Sequence, residues 1–278
     1  MMKADCHIHA VLDGVDWKAS IARGISDDFI RHMLQTYRDL GYTYLRDGGD
    51  RWGVGYRAKE LAADYGITYR TPLAPLCLKG HYGSFIGLTY ETPLEFAALV
   101  RRQRETGGDF VKIMISGLMD FDRFGVLTEP GLAPGLIREL IHIAHEEGLP
   151  VMAHCNGART AQTAAEAGVD SVEHGAYLDE EALAAMKEME VVWVPTVSTI
   201  GNLLGKGRFN ESAVRQILNS ALSNLAAFHA MGGLIAPGTD AGAWAVEHGC
   251  ATEEMWLKEA GITQVDLILG IETIQRKF

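Results

Sequence analysis

Positive charge, cysteine and long apolar runs are all scarce in this sequence, and each scarcity removes a class of function. Lysine and arginine number 25 against 36 aspartates and glutamates, giving a net charge of −11 and a pI near 5.4. So acidic a chain is a poor partner for nucleic acid or an anionic membrane surface. No apolar run reaches the length needed to span a bilayer. The four cysteines, Cys6, Cys77, Cys155 and Cys250, are scattered without CxxC spacing and read as small buried hydrophobes of a cytoplasmic protein. Met1-Met2-Lys3-Ala4-Asp5 enters a strand at once and leaves no room for a signal peptide. Linkers, low-complexity tracts and composition shifts are missing as well. The expectation is one domain, residues 1–278, with a hydrophobic fraction of 47% that is ample for a large core.

What is present is one phrase repeated: amphipathic helix, glycine, short apolar strand, polar loop. Gly41, Gly66, Gly107-Gly108, Gly148, Gly168 and Gly232-Gly233 stand where helices end and strands begin. The strands that follow them are Tyr42–Arg46, Ile67–Leu78 (interrupted by Pro72 and Pro75), Phe110–Ile115, Pro150–His154, Ser171–His174 and Leu234–Pro237. Ala4–His9 precedes them, and Val191–Pro195 follows a helix that ends without glycine, making eight. Between them, Leu136, Ile137, Leu140, Ile141 and Ala144 form one helical stripe, and Thr92-Pro93-Leu94-Glu95 reads as a capping box. Strands alternating with helices give a parallel sheet with right-handed crossovers. Eight such units imply an α/β fold of the (β/α)8 TIM-barrel type, with an open doubly wound sheet as the alternative. Long loops follow strands 1, 3 and 4 (residues 10–26, 79–91 and 117–133), on the face where barrels carry their active sites.

Chemistry-bearing residues collect on that face. In an extended strand Asp5, His7 and His9 point one way while Cys6 and Ile8 point the other, so two imidazoles can share one metal ion. Lys112 lies in the apolar strand Phe110–Ile115, His154 and His174 end strands 5 and 6, and Asp240 follows strand 8. A lone strand-end histidine is more often structural than a ligand, and Asp240 between Gly238 and Gly242 also suits a turn. Lys112 is harder to dismiss, because lysine is rarely buried unpaired. Burial makes it a neutral nucleophilic amine. That leaves two uses: a Schiff base with a carbonyl substrate, or addition to CO2 giving a carbamate between two metals. Four histidines and an aspartate nearby favour the second.

The segments Asp5–His9, Thr43–Gly49, Gly108–Met114, Ala153–Gly157, Ala167–Gly175 and Pro237–Gly242 together resemble the metal-dependent amidohydrolase superfamily, in particular its imidazolonepropionase- and prolidase-like branch. The resemblance implies two divalent ions, with zinc the expected metal. His7, His9 and Asp240 would hold one and His154 and His174 the other, with carboxylated Lys112 bridging both. It further implies hydrolysis of a small amide or related C–N bond by a metal-bridging hydroxide, with Asp240 moving the proton. His81 and His248 fall where such proteins place substrate-facing histidines. The relatives' accessory β-sandwich is absent here, which leaves their modes of oligomerisation uninformative and a homo-oligomer open.

The loop Leu118–Gly125 alternates acidic and aromatic residues, and the loop after strand 3 offers His81-Tyr82. Lining the mouth, Phe121 and Phe124 would cover an apolar body. Arg123, or His81 with Tyr82, would hold a carboxylate or carbonyl, and Asp120 and Asp122 would disfavour strongly anionic ligands. The expected substrate is a compact, weakly polar amide such as an N-acyl amino acid, a dipeptide or a cyclic amide. Three rivals carry less. Gly53-Val54-Gly55-Tyr56-Arg57-Ala58 fits G-x-G-x-x-A but starts well after strand 2 and lacks the later acid of a dinucleotide site. A Schiff-base lyase on Lys112 and a non-catalytic ligand-binding barrel complete the alternatives. Gly205-Lys206-Gly207-Arg208 is too short for a phosphate loop and reads as a solvated turn.

Overall fold

The computed structural model describes residues 3–278; Met1 and Met2, expected just ahead of the first strand, lie outside them. Ten short strands appear in chain order: β1 (Lys3–Ile8), β2 (Tyr42–Asp47), β3 (Thr68–Arg70), β4 (Leu76–Leu78), β5 (Leu88–Tyr90), β6 (Val111–Met114), β7 (Val151–Cys155), β8 (Ser171–His174), β9 (Val192–Val194) and β10 (Leu234–Ile235). They pair in parallel as β1-β2-β3 and as β10-β9-β8-β7-β6-β4-β5.

Backbone hydrogen bonds join the two sheets on both sides. Asp109 N–H donates to Thr71 O at 2.9 Å, linking the end of β3 to the start of β6. On the other side Cys6 N–H donates to Pro237 O (2.8 Å), Asp240 N–H to His7 O (2.7 Å) and His9 N–H to Ala241 O (2.7 Å). The ladder therefore runs round a ring, as the TIM-barrel expectation requires. Two details differ from the sequence reading. The third expected strand is bent into β3, which pairs with β2, and β4, which pairs with β6. Pro72 and Pro75 between them have no N–H to give a ladder. The second difference is β5, three residues inside the expected 79–91 loop, added outside β4 where Leu88 N–H reaches Pro75 O at 2.9 Å.

The helices α1 (Trp17–Arg23), α2 (Asp27–Asp39), α3 (Val54–Ala62), α4 (Pro93–Glu105), α5 (Pro134–Glu146), α6 (Ala158–Glu166), α7 (Glu180–Glu188), α8 (Ser198–Gly201), α9 (Glu211–Ala230), α10 (Thr252–Glu259) and α11 (Ile268–Lys277) fill the connections. α5 buries Ile137, Leu140, Ile141 and Ala144, the expected stripe. α4 starts with half of its capping box: Thr92 Oγ1 accepts from Glu95 N–H at 3.2 Å, while the Glu95 carboxylate accepts from Glu91 N–H at 2.7 Å, one residue ahead of the cap. The helix-ending glycines Gly41, Gly66, Gly107, Gly148, Gly168 and Gly232 all take positive φ. No helix among the described residues is long and apolar enough to cross a membrane.

Closure of the ring depends on Asp5. Its buried carboxylate accepts from Thr239 N–H (2.9 Å) and Thr239 Oγ1–H (2.6 Å), with Tyr37 Oη–H at 3.5 Å. Burial alone raises its pKa to about 6, against the opposing pull of those donors. Asp5→Ala strands the Thr239 donors in the interior, which costs about 1–3 kcal/mol for each buried group left unpaired. A fall of the urea midpoint with unchanged m is expected; an unchanged midpoint contradicts this account of the closure.

Candidate metal centre

Parallel strands in a ring deliver their C-terminal ends to one rim, and six of the expected residues meet there. His7, on β1, is fully buried, and its Nε2 lies 3.5 Å from Asp240 Oδ1. His9 Nε2 lies 3.4 Å from the same oxygen. His7, His9 and Asp240 thus form a cluster of possible ligand atoms all within 4.8 Å of one another. The imidazoles continue round the rim, with His7 and His174 ring centres 5.2 Å apart and His174 and His154 4.6 Å apart. Lys112 is the second residue of β6 and not its last; its long side chain is buried and, with the four histidines and Asp240, lines one cavity of about 500 Å³.

Each ring is oriented by what its other nitrogen meets. His7 Nδ1 is 2.7 Å from Glu173 Oε2; a carboxylate only accepts, so Nδ1 carries the hydrogen and Nε2 keeps its lone pair toward Asp240. His154 Nε2 donates to Gly117 O at 3.2 Å, which leaves its Nδ1 the lone pair. His174 Nδ1 sits 2.7 Å from Thr196 Oγ1. Backbone strain concentrates at the same place: His174, Thr196 and Asp240 have φ of 67°, 50° and 55°. Space is reserved too, since a Cβ on Gly48 would fall 2.3 Å from His9 Cε1.

Burial sets the electrostatics. Loss of water pushes His9 and His154 down to about 3, with His7 and His174 also held well below their ordinary range, so all four rings are neutral and able to coordinate. The same desolvation lowers Lys112 and raises Asp240. His7 Nε2, His9 Nδ1, Lys112 Nζ and Asp240 Oδ1 are buried with no hydrogen-bond partner. A cation is what neutral imidazoles and a carboxylate share, and a buried amine without a partner is the form that adds CO2. The donor set therefore fits divalent metal, as the sequence anticipates.

Behind His7 stands a support that the sequence reading left unassigned. Arg46 Nη2 donates to Glu173 Oε1 (2.8 Å), Nε to Cys6 O (2.7 Å) and Nη1 to Ser171 Oγ (2.9 Å), all of them buried. Arg46 and Glu173 each follow an apolar residue, Leu45 and Val172, in short strands that carry other polar residues too, so the available signal was weak. Substrate-side expectations are distributed differently. Tyr82 lines the cavity with its ring 4.7 Å from that of His154, and Phe121 lines it too. His81 lies outside the lining, partly exposed, its Nδ1 3.4 Å from Glu129. Arg123 is also outside, on the surface, where its Nε donates to Asp120 at 2.7 Å. Phe124, outside the lining too, meets Tyr177 edge to face at 5.6 Å. Asp122 accepts from Asn210 N–H at 2.7 Å. His248 is outside the lining as well, bonded to Leu12 O (2.9 Å) and Tyr37 Oη (3.3 Å). Residues 205–208 are exposed, as the solvated reading of that loop expects, and Arg208 from it also stands in the lining with Phe209 and Trp244.

A model of the amidohydrolase family matches residues 4–260. The chain belongs to that family. It is therefore a hydrolase acting on carbon–nitrogen bonds. An uncharacterised protein of Mycobacterium tuberculosis is 26% identical over 271 residues, which cover 95% of this chain and 69% of that one. Ochratoxinase of Aspergillus niger is 29% identical over 194 residues, 66% of this chain but 38% of the fungal enzyme. Among solved structures, a Xaa-Pro dipeptidase with methionine in its active site superposes with a TM-score of 0.79 at 21% identity, covering 99% of this chain and 75% of its own. The crystal structure of the ochratoxinase gives 0.74 at 21%, covering 98% and 68%. At such identities the two structures share the barrel frame with this amidohydrolase.

Two outcomes follow from the geometry. Glu173→Gln keeps one acceptor oxygen where the carboxylate has two, so it cannot serve both the Arg46 and Ser171 donors and the His7 N–H, and divalent-metal affinity should fall by about 10–100-fold. Competition with a chelating dye measures it, and unchanged affinity contradicts the orienting role. The second concerns His248, whose pKa burial depresses to about 4 from 6.5. The unfolded chain binds this proton more tightly, so the contribution is complete above pH 6.5 and is lost as pH falls toward 4. Thermal unfolding of His248→Gln should show lower stability at pH 7 and a shallower acid limb than wild type; parallel acid limbs contradict it.

Proposed function

We propose that the protein is a binuclear divalent-metal hydrolase of small amides, N-acyl amino acids, dipeptides or cyclic amides. The observation that carries the reading is the meeting of four neutral histidines, Asp240 and Lys112, several with buried partnerless atoms, at the base of one cavity. His7, His9 and Asp240 would hold one ion, His154 and His174 the other, and Lys112, as its carbamate, both. Zinc suits such a nitrogen-rich set. When bound, the ions lower the pKa of the attacking water and polarise the scissile carbonyl.

The chain's own groups do the rest. Asp240, buried within the histidine cluster, is placed to take the proton of the attacking water and return it to the leaving nitrogen. Glu173 keeps the proton on His7 Nδ1 throughout. The apolar walls, with Leu12, Ile86, Met119 and Phe121 among them, exclude water and limit the pocket to a small molecule. The four surrounding histidines favour a carbamate on Lys112 over a Schiff base, and borohydride trapping with substrate separates the two.

Asp240→Asn tests the proton role. The amide keeps an oxygen for coordination but accepts no proton, so metal content should persist while kcat falls by about 10²–10⁴-fold. A panel of N-acetyl amino acids, dipeptides and lactams supplies the assay. A kcat within a few-fold of wild type would sink the role of Asp240, and failure of wild type to turn over any amide would sink the small-amide reading.

A further inference from the structure

Arg208 is a cation at the cavity wall that has aromatic rings for company and no carboxylate. Most arginines meet acids, as Arg57 does Asp27, Arg70 Asp109, Arg123 Asp120 and Arg215 Glu211, whereas a minority that includes Arg38, Arg51 and Arg159 do not. Arg208, although the chain has 36 acidic residues, has no ion-pair partner among the described residues. Its guanidinium carbon lies 4.3 Å from the Trp244 ring centre and 5.2 Å from that of Phe209. A guanidinium resting on π faces keeps its in-plane N–H edges free, and those edges match a carboxylate two bonds at a time.

The platform is fixed relative to the centre. Trp244 follows Asp240 by four residues, and Ala243 N–H donates to Asp240 O at 3.0 Å within that segment. Asn202 Nδ2–H donates to Ala245 O at 2.9 Å, fastening the start of the 202–210 loop that carries Arg208 to the same segment. Phe209 in turn packs between Phe121 (5.2 Å) and Trp244 (6.3 Å). One wall of the cavity thus offers a fork of donors on an aromatic shelf, its base a set of metal-binding side chains, and the surface between them is apolar.

We infer that Arg208 is the carboxylate anchor of this pocket, and that the substrate is an amide bearing a free carboxylate beside an apolar or aromatic side chain. This rests on the amide-hydrolase reading and narrows it. N-acyl apolar amino acids and dipeptides have that carboxylate; lactams and neutral amides do not. Arg208 holds the substrate and does not touch the reacting atoms, so its loss appears in KM before kcat.

The test uses inert isosteric probes, 3-phenylpropionate and 3-phenylpropionamide, titrated calorimetrically into metal-loaded and chelator-treated protein. Wild type should bind the carboxylate at least about tenfold more tightly than the amide in both forms. Arg208→Gln should abolish that preference and leave amide binding unchanged. Arg208→Lys, which keeps the charge but loses the fork, should fall between. Equal binding of the two probes, no binding of either, or a preference that survives Arg208→Gln overturns the anchor. So does a preference present only with metal. Turnover separates the two readings. If wild type hydrolyses neutral amides and not N-acetyl-phenylalanine, the hydrolase stands and the anchor falls. If the carboxylate binds as expected but no amide is cleaved, the anchor stands and the small-amide reading falls.

Discussion

Polar atoms buried together without partners are the constraint to which the rest of this molecule answers. His7 Nε2, His9 Nδ1, Lys112 Nζ and Asp240 Oδ1 have no hydrogen bond and almost no water. Each such group costs about 1–3 kcal/mol, more if charged. A marginally stable fold tolerates several of them only where a rigid frame over-determines their positions. The ring of parallel strands is that frame. Its backbone bonds run directly beside the cluster, with Asp240 N–H on His7 O and His9 N–H on Ala241 O, so ligands from the first and last strands cannot drift apart without opening the barrel.

Groups behind the histidines turn position into chemistry. The line Arg46–Glu173–His7 is buried throughout, and its charges are compensated: the guanidinium donates to a carboxylate, a hydroxyl and a carbonyl, and the carboxylate takes the His7 proton. Removing one member leaves its partner as an uncompensated buried charge. Asp5 performs the corresponding service for the strand that leads to Asp240, through Thr239. The clustered groups therefore inherit their geometry from carboxylates, Asp5 and Glu173, that lie outside the cavity lining.

Much of this was legible in the chain. Period-two alternation placed His7 beside His9, the glycines marked the joints, and the strand-end positions predicted that His154, His174 and Asp240 would share a rim. Lys112 showed itself as a charge in an apolar run. Arg46 and Glu173 sat in strands with other polar residues and stood out less, and pattern alone does not pair residues 127 apart in sequence. The kink between β3 and β4 was visible as two prolines, whereas β5 was hidden because three residues that pair only on an outer edge show no distinctive pattern. Substrate-side residues were the least legible. Loop conformation is set by tertiary contacts, so Arg123 was drawn to Asp120 at the surface while Arg208, four positions beyond Leu204, settled on Trp244.

The proposed function turns on Lys112 as a carbamate that two metal ions would share. Its most direct test is a combined reading on protein prepared with divalent metal and 13C-bicarbonate: metal per chain by elemental analysis, and the carbamate carbon by NMR. Wild type should hold close to two ions per chain and show one carbamate resonance. Lys112→Ala should lose the resonance and the paired ions together, with partial recovery of metal on adding a short carboxylic acid. One ion per wild-type chain with no carbamate signal, or two ions retained by Lys112→Ala without an added acid, would contradict it.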